Sequence, residues 1–430
     1  MMNIKAIGER ISSLRKEQGL TGEKFAELLG VSPQAVSKWE TGKNLPETIL
    51  LPSISRVLEV SIDSILIPPQ ILPNVNIKIL SDFVLMDEKG GPPSIANTNN
   101  TYYLTFGHTP NHHPPYVDGH SEIRMATSVD GKMWGKPKTI YSKKEYKICN
   151  PCIHALADGS LLVTYYLYKD EPAYKKPMLE KILSPFIYEE PCPDGRNTIS
   201  YLVGQYTIIS HDGGETFSSP NLMESNCAFF GKIVQLPDGT ILAPLCRYGN
   251  DPAKDGVAVI YASKNGGYDW GPYSYVCGPI NNCSPEEPGL FITWCKRIYC
   301  FIRTSTYMYY CISKDYGQTW SEPLNSWITG NVPFDALQLP SGHVLLHYGR
   351  RDDVPFSIRA VLLDYRKNDL NDISPESEMI IRGGSMGGIA YNWAVQLPDN
   401  EILVAYNYIN DDVNGGQEHI AGTILKIEYL

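Results

Sequence analysis

Ser313-Lys314-Asp315-Tyr316-Gly317-Gln318-Thr319-Trp320 follows a short β-rich run, and its stencil returns three more times along the chain. Ser210-His211-Asp212-Gly213-Gly214-Glu215-Thr216-Phe217 changes only the final aromatic, Ser263 to Trp270 carries Asn265 for the Asp, and Ser128 to Trp134 is one residue short. Each part has a physical job. An Asp caps the amides of its own tight turn, a Gly supplies the positive φ, and the closing aromatic packs back under the turn. Recurrence at a period of roughly 50 residues predicts a propeller or an array of blades.

Between these turns the chain repeats an apolar strand, a Leu-Pro-Asp-Gly-like turn and a second apolar strand. The turns are Leu156-Ala157-Asp158-Gly159, Leu236-Pro237-Asp238-Gly239, Leu339-Pro340-Ser341-Gly342 and Leu397-Pro398-Asp399-Asn400, with Trp294 to Arg297 standing in for one. Adding the unit around Asn97-Thr98-Asn99-Asn100 predicts six, at roughly 60 residues each against about 45 for a plain four-stranded blade. Much of the excess lies between Tyr168 and Ser200, a Lys-, Glu-, Pro- and Tyr-rich insertion expected to be a lid or a contact surface.

Residues 1–68 follow another rule. Ile4, Ile7, Ile11 and Leu14 recur at helical spacing and Gly19 ends that helix; Thr21 caps a second helix closed by Gly30; Ser32 caps a third, with Pro33 in its first turn, stopped by Gly42. Two more apolar helices follow. Two short helices around a Gly turn in such a bundle predict a helix-turn-helix that offers its later helix to the major groove. A helical head used only for protein contacts is the alternative. Pro68-Pro69 and Pro73 then mark a linker, so the expected organisation is a head at 1–68, a linker at 69–76 and an all-β propeller at 77–430.

The run Leu14 to Pro46, with Gly30-Val31-Ser32, Val36-Ser37-Lys38-Trp39-Glu40 and Gly42-Lys43-Asn44-Leu45-Pro46, resembles the Cro/repressor-type (XRE) DNA-binding domains. The resemblance implies that Gln34, Ser37 and Lys38 meet base edges and phosphates, while Thr21, Lys43 and Asn44 hold the backbone. Lys and Arg balance Asp and Glu at eight each over residues 1–68, so useful affinity is expected to need a homodimer.

The four turn motifs are similar to the Asp-boxes of the sialidase (BNR-repeat) superfamily of six-bladed propellers. There they are structural and lie away from the active face, which makes Asp130, Asp212 and Asp315 framework residues. A propeller ligand sits at one end of the channel, on loops recurring from blade to blade. Glu287 opens one unit and Arg303 ends its second strand; Arg247 and Arg350-Arg351 end the matching strands on either side; Arg359 precedes a decayed box; Tyr391 opens the last unit. By resemblance Tyr391 is a nucleophile, Glu287 its base, Asp118 the acid, and Arg303 a clamp arginine together with Arg359 or Arg351. A neutral phenol activated by Glu avoids the repulsion a carboxylate nucleophile would meet at a carbon bearing a carboxylate. Sialidases carry another clamp arginine at the start of the first blade, where this chain reads Gly91-Pro92-Pro93-Ser94-Ile95. That substitution points away from sialic acid itself.

The remaining signals are negative or weak. All ten cysteines fall between Cys149 and Cys311 and are read as reduced thiols, and Cys149-Asn150-Pro151-Cys152 as the start of a strand rather than a zinc or redox pair. His108, His112, His113 and His120 lack a ligand spacing and suit a polar rim. No metal and no cofactor are expected. A formal charge of −10 argues against a whole-surface nucleic-acid binder. No run of 18 apolar residues or signal peptide is found, so neither membrane insertion nor export is expected and the cytoplasm is. Three functions fit: a DNA-binding regulator with a glycan-sensing propeller, an exo-glycosidase whose head localises or pairs it, and a regulator with an inert propeller body.

Overall fold

In this computed structural model the described residues are 4–58, 60, 62–66, 75–87, 90–108, 120–179, 187–191, 197–247, 256–293, 296–326, 328–329, 333–352, 355–363, 378–385, 391–409 and 418–429. They divide into two compact units, one built on Met1–Pro73 and one on Asn74–Ile292 with Ile298–Leu430.

The first unit is a helical bundle: α1 (Ile4–Glu17), α2 (Gly22–Leu29), α3 (Pro33–Glu40), a 3-10 turn at Thr48–Leu50, α4 (Leu51–Val57) and α5 (Ile62–Leu66). Local chemistry sets the ends of α2 and α3. Thr21 Oγ1 accepts from the Lys24 amide at 3.1 Å and Ser32 Oγ from the Ala35 amide at 3.2 Å, while Gly30 closes α2 at φ +68°. Ile7, Ile11, Leu14, Phe25, Val36, Trp39 and Ile54 form the core.

One polar contact locks α1 to α3. Arg15 holds Glu40 through Nε at 2.5 Å and Nη2 at 2.9 Å, Ser12 adds a bond at 3.0 Å, and Arg15 Nη1 reaches the Leu20 carbonyl at 2.5 Å. The approach is tight: a Cβ on Gly8 would stand 2.1 Å from the Trp39 carbonyl oxygen. Burial disfavours the Glu40 charge, yet the bonds from Arg15 and Ser12 prevail and hold the carboxyl below its ordinary value.

The second unit is six sheets. Blade I is Ser94–Thr98, Thr101–His108, His120–Ser128 and Lys138–Lys144; blade II is Tyr146–Ala155, Leu161–Pro172, Asn197–Ser210 and Asn221–Ser225. Blade III runs Cys227–Ala228 with Val234–Gln235, Ile241–Arg247, Val257–Ser263 and Gly271–Cys277; blade IV runs Glu286–Ile292, Ile298–Arg303, Met308–Ser313 and Leu324–Asn325. Blade V is Phe334–Gln338, Val344–Arg350, Phe356–Leu363 and Met379–Ser385. Blade VI takes Asn392–Gln396, Glu401–Ile409 and Glu418–Tyr429 from the chain's end, and Val75–Met86 from before blade I. That strand begins at Val75, inside the stretch read as linker, because Val75 to Ile77 pair with Tyr429 to Ile427. Inner strands of blades I and VI meet directly, so the ring is closed.

The Asp-boxes tie each turn to itself and to the blade before it. Asp212 accepts from the Thr216 amide at 2.9 Å and hydroxyl at 2.6 Å, and Ser210 Oγ accepts from the Gly214 amide at 2.8 Å; Asp315, Thr319, Ser313 and Gly317 repeat this. A Cβ on Gly131, Gly214, Gly267 or Gly317 would fall 2.4, 2.5, 2.2 or 2.9 Å from Leu397, Met125, Leu162 or Leu242, each on the preceding blade. The Gly267 and Gly317 carbonyls also accept from Thr207 and Ser274 of that blade. These glycines are therefore interblade contacts as well as turn residues.

The insertion after Tyr168 extends blade II. Leu161–Pro172 and Asn197–Ser210 stay paired out to Pro172 and Thr198, and Ile187–Pro191 joins as another strand. The arm leaves from the end of a second strand, the edge at which Arg247, Arg303 and Arg350 end theirs. Cys149 and Cys152 are buried thiols on either side of a bulge, with Asn150 at φ +47°. Among the described residues no helix is long and apolar enough to cross a membrane.

Two outcomes follow from this packing. Gly267→Ala, strained by φ +97° and by the Leu162 contact, should cost about 2–4 kcal/mol, whereas Gly266→Ala, at φ +75° with open space around it, should cost only about 1–2; urea melts of the two variants compare them. Glu40→Gln should weaken the head by about 3 kcal/mol, read as faster amide exchange in α1 and α3. Because the Glu40 carboxyl is lowered, its contribution is complete above the ordinary glutamate value of about 4.3 and is lost as pH falls through its lower folded value. Below that folded value the variant and the unaltered protein should converge.

Candidate functional site

The inner strand of blade IV is irregular where the site begins. Its register with the next strand slips between Glu286 and Gly289, and Glu287 takes φ +41°, a conformation that costs a non-glycine residue about 1–3 kcal/mol. In a regular strand neighbouring side chains point to opposite faces. Here both carboxylates meet one guanidinium: Arg303 Nη1 donates to Glu287 Oε2, and Arg303 Nε stands 3.4 Å from Glu286 Oε2. Blade III presses on the same kink, for a Cβ on Gly231 would lie 2.6 Å from Gly289 Cα and 2.8 Å from the Pro288 carbonyl.

Tyr391 comes to this pair from blade VI. Its phenol, buried at 6% exposure, donates to Glu287 Oε1 at 2.5 Å and accepts from Arg303 Nη1 at 3.2 Å. Phe230 packs edge-on against the ring at 4.8 Å between centroids, and the Arg351 guanidinium lies 5.8 Å from the ring centre. Burial, then the Glu287 charge, drives the phenol's pKa far up, Arg303 and Arg351 only partly opposing them. The tyrosine is a neutral hydroxyl in contact with a base. Such a hydroxyl could act as a nucleophile only if Glu287 took its proton. Burial opposes the charge on Arg303, but Glu287, Tyr391 and Glu286 outweigh it; burial lowers Arg351, which still remains a cation at neutral pH. Burial likewise raises Glu286 despite Arg303.

A second polar layer lies one step along the inner strands. Lys232 of blade III reaches to blade V, pairing with Asp335 at 2.7 Å and donating to the Ala336 carbonyl at 3.1 Å, with its ammonium 5.4 Å from the Trp393 ring of blade VI. The fully buried His347 shares a hydrogen bond with Asn392 Oδ1 and stands 3.5 Å from Asp335. Burial brings His154 down to about 3, so a neutral imidazole packs by Trp393 at 5.8 Å. At the entry to blade I Ser94 is buried, bonding Thr105 at 2.8 Å and the Pro151 carbonyl at 3.1 Å.

Of the residues singled out in the sequence, Tyr391, Glu287, Arg303 and Arg351 converge. Arg359 and Arg247 are engaged elsewhere: Arg359 pairs with Glu378 at 2.6 Å beside Tyr348, and Arg247 donates to Tyr261 at 2.8 Å, with Glu224 at 3.9 Å. Asp118, His112, His113 and the linker prolines lie outside the described residues. Glu286, Phe230 and the Lys232–Asp335–His347 layer escaped the sequence reading. The run Phe229-Phe230-Gly231-Lys232 ahead of the blade III turn was the available signal. In the head, Gln34, Ser37 and Lys38 are exposed on α3, with Thr21, Lys43 and Asn44 exposed around it.

Known proteins resemble both parts. Residues 117–404 match the family described as BNR repeat-like domain, and residues 11–65 that described as helix-turn-helix. The HTH-type transcriptional activator BcrR of Enterococcus faecalis is 45% identical over 58 residues, 14% of this chain, which spans only 28% of that protein. The HTH-type transcriptional regulator YazB of Bacillus subtilis (strain 168) is 36% identical over 69 residues, 16% of this chain and 99% of its own length. Among solved structures, a protein of unknown function from Dyadobacter fermentans DSM 18053 aligns at TM-score 0.68 with 25% identity, covering 82% of this chain and 99% of that one. The intramolecular trans-sialidase from Ruminococcus gnavus aligns at 0.55 with 12% identity over 84% and 99% of the two chains. The NanB sialidase from Streptococcus pneumoniae aligns at 0.53 with 13% identity over 85% and 72%. Both are likenesses of fold.

The Lys232–Asp335 pair should behave as a buried ion pair. Lys232→Met leaves a carboxylate stranded and should cost about 3 kcal/mol, and adding Asp335→Asn should return most of it. Urea melts of the single and double variants measure this.

Proposed function

The chain belongs to the BNR repeat-like domain family and carries the helix-turn-helix head of the HTH-type regulators, and from that premise we propose a DNA-binding regulator whose sialidase-like propeller binds a glycan between Glu287, Arg303, Arg351 and Tyr391. The observation that carries the propeller half is the Tyr391–Glu287 contact at 2.5 Å with Arg303 bonded to both. A structural ion pair needs no strained glutamate and no phenol on the same carboxylate. Arg303 and Arg351 offer charge-assisted donors to an acidic or hydroxyl-rich sugar. The head half is supported by the exposure of Gln34, Ser37 and Lys38 on α3, the residues that would meet base edges in the major groove.

The same contact favours a second reading, a retaining exo-glycosidase. Tyr391 Oη would attack the anomeric carbon as its proton passes to Glu287, and the bond to the leaving oxygen would break as an acid, by resemblance Asp118, protonates it. Asp118, now deprotonated, would then take a proton from an incoming water whose oxygen bonds to the anomeric carbon as the bond to Tyr391 Oη breaks, and Glu287 would return its proton to the departing phenolate.

Fluorogenic sialosides and a panel of other glycosides separate the readings. The enzyme reading expects turnover that Tyr391→Phe lowers at least about a thousandfold; the sensor reading expects no turnover, but a melting temperature raised by one of the sugars. A propeller that neither turns over nor is stabilised by any of them would be an inert body. For the head, a gel shift with the region upstream of its own operon should show preferential binding that Gln34→Ala or Lys38→Ala weakens roughly tenfold. No sequence preference at moderate salt would count against regulation.

A further inference from the structure

A strip of lysines follows the outer edge of blade I. Residues 132–147 hold Lys132, Lys136, Lys138, Lys143, Lys144 and Lys147 against one acid, Glu145, in a chain of formal charge −10. The strand Lys138–Lys144 is the last of its sheet, bonded on one side to His120–Ser128. At about 3.4 Å per residue it is roughly 20 Å long, enough to meet several backbone phosphates of a duplex. Neighbouring acids engage part of the strip: Lys132 pairs with Glu401 at 2.6 Å and Lys138 with Glu215 at 3.1 Å, while Glu122 is taken by Arg124 and Thr139. Lys136, Lys143 and Lys144 have no ion-pair partner among the described residues. The Lys143 ammonium is held over tyrosine faces, 4.2 Å from the Tyr146 ring centre and 6.0 Å from that of Tyr206, and Lys169 approaches the same Tyr146 at 5.9 Å. Like charges gathered on an acidic protein raise the local potential and favour a polyanion.

We propose that this edge is a phosphate-binding strip by which the propeller itself grips the backbone of duplex DNA. The proposal rests on the head's being a DNA binder: with eight basic and eight acidic residues over 1–68, the head brings little of the sequence-blind attraction such proteins draw from Lys and Arg. The strip supplies it. Contacts of this kind add affinity to every sequence equally and carry no base preference. An anionic lipid surface is the competing polyanion, and Val129 and Met133, exposed at 83% and 78% in the adjoining turn, are what it would use.

The full-length protein is titrated into labelled duplexes, one from its own upstream region and one scrambled, between about 50 and 200 mM salt. Combined Lys136→Gln, Lys143→Gln and Lys144→Gln should weaken both duplexes alike and reduce the slope of log affinity against log salt by about 2–3, with thermal melting unchanged. Gln34→Ala should do the reverse, losing preference and keeping the slope. An unchanged slope in the triple variant overturns the proposal, as does loss of binding to phosphatidylglycerol vesicles in that variant while its DNA slope stays intact. If the unaltered protein binds both duplexes equally and the triple variant still loses slope, the strip stands and the head's sequence reading fails. Failure to bind any duplex overturns both.

Discussion

The propeller depends on one strand pairing, that of Val75–Met86 with Glu418–Tyr429. A sheet rolled into a ring of blades has two free ends, and unpaired edges leave backbone donors and acceptors open to solvent or to another chain. Here the earliest strand of the unit completes the last blade, and Asp82 draws the joint tight by accepting from Thr423 at 2.5 Å and pairing with Arg382 of blade V. Closure is what brings blade VI against blade I and blade V together. Without it Tyr391 would have no fixed position opposite blade IV.

Once the ring is closed, its two faces divide the labour. The Asp-boxes satisfy their own amides and bring glycine backbone onto the preceding blade, so each blade is held by its successor. The other end spends that rigidity on arrangements that are unfavourable alone: a glutamate at positive φ, two carboxylates on one guanidinium, and a buried phenol against a carboxylate. Such strain persists only where surrounding packing over-determines it. The Gly231–Gly289 approach and the Lys232–Asp335 bridge provide that support from blades III and V.

The head solves a smaller problem by similar means. A bundle of short helices has little core, and its register rests on a close backbone approach at Gly8 together with the Arg15–Glu40 pair. That arrangement leaves the polar face of α3 free, with Gln34, Ser37 and Lys38 pointing away from Val36 and Trp39.

The sequence by itself determined the helical head and the repeat of six blades. Caps at Thr21 and Ser32, glycines that need positive φ, and the Ser-x-Asp-x-Gly stencil act within a few residues, so they are legible locally. It also nominated Arg303, whose matching strand ends carry Arg247 and Arg350-Arg351, and, through the resemblance, Glu287 and Tyr391. What only the tertiary structure decided is which side chains share the channel. Arg351 and Arg359 are equally basic on paper, but the ring sends Arg351 toward Tyr391, while a residue from the outer strand region, Glu378, claims Arg359. Glu286 joins Glu287 only because the backbone kinks within the inner strand of blade IV, and Lys232 meets Asp335 across 103 positions of chain that no local pattern connects. Periodicity writes the strand, but closure chooses its neighbours, and neighbours set charge, burial and reach.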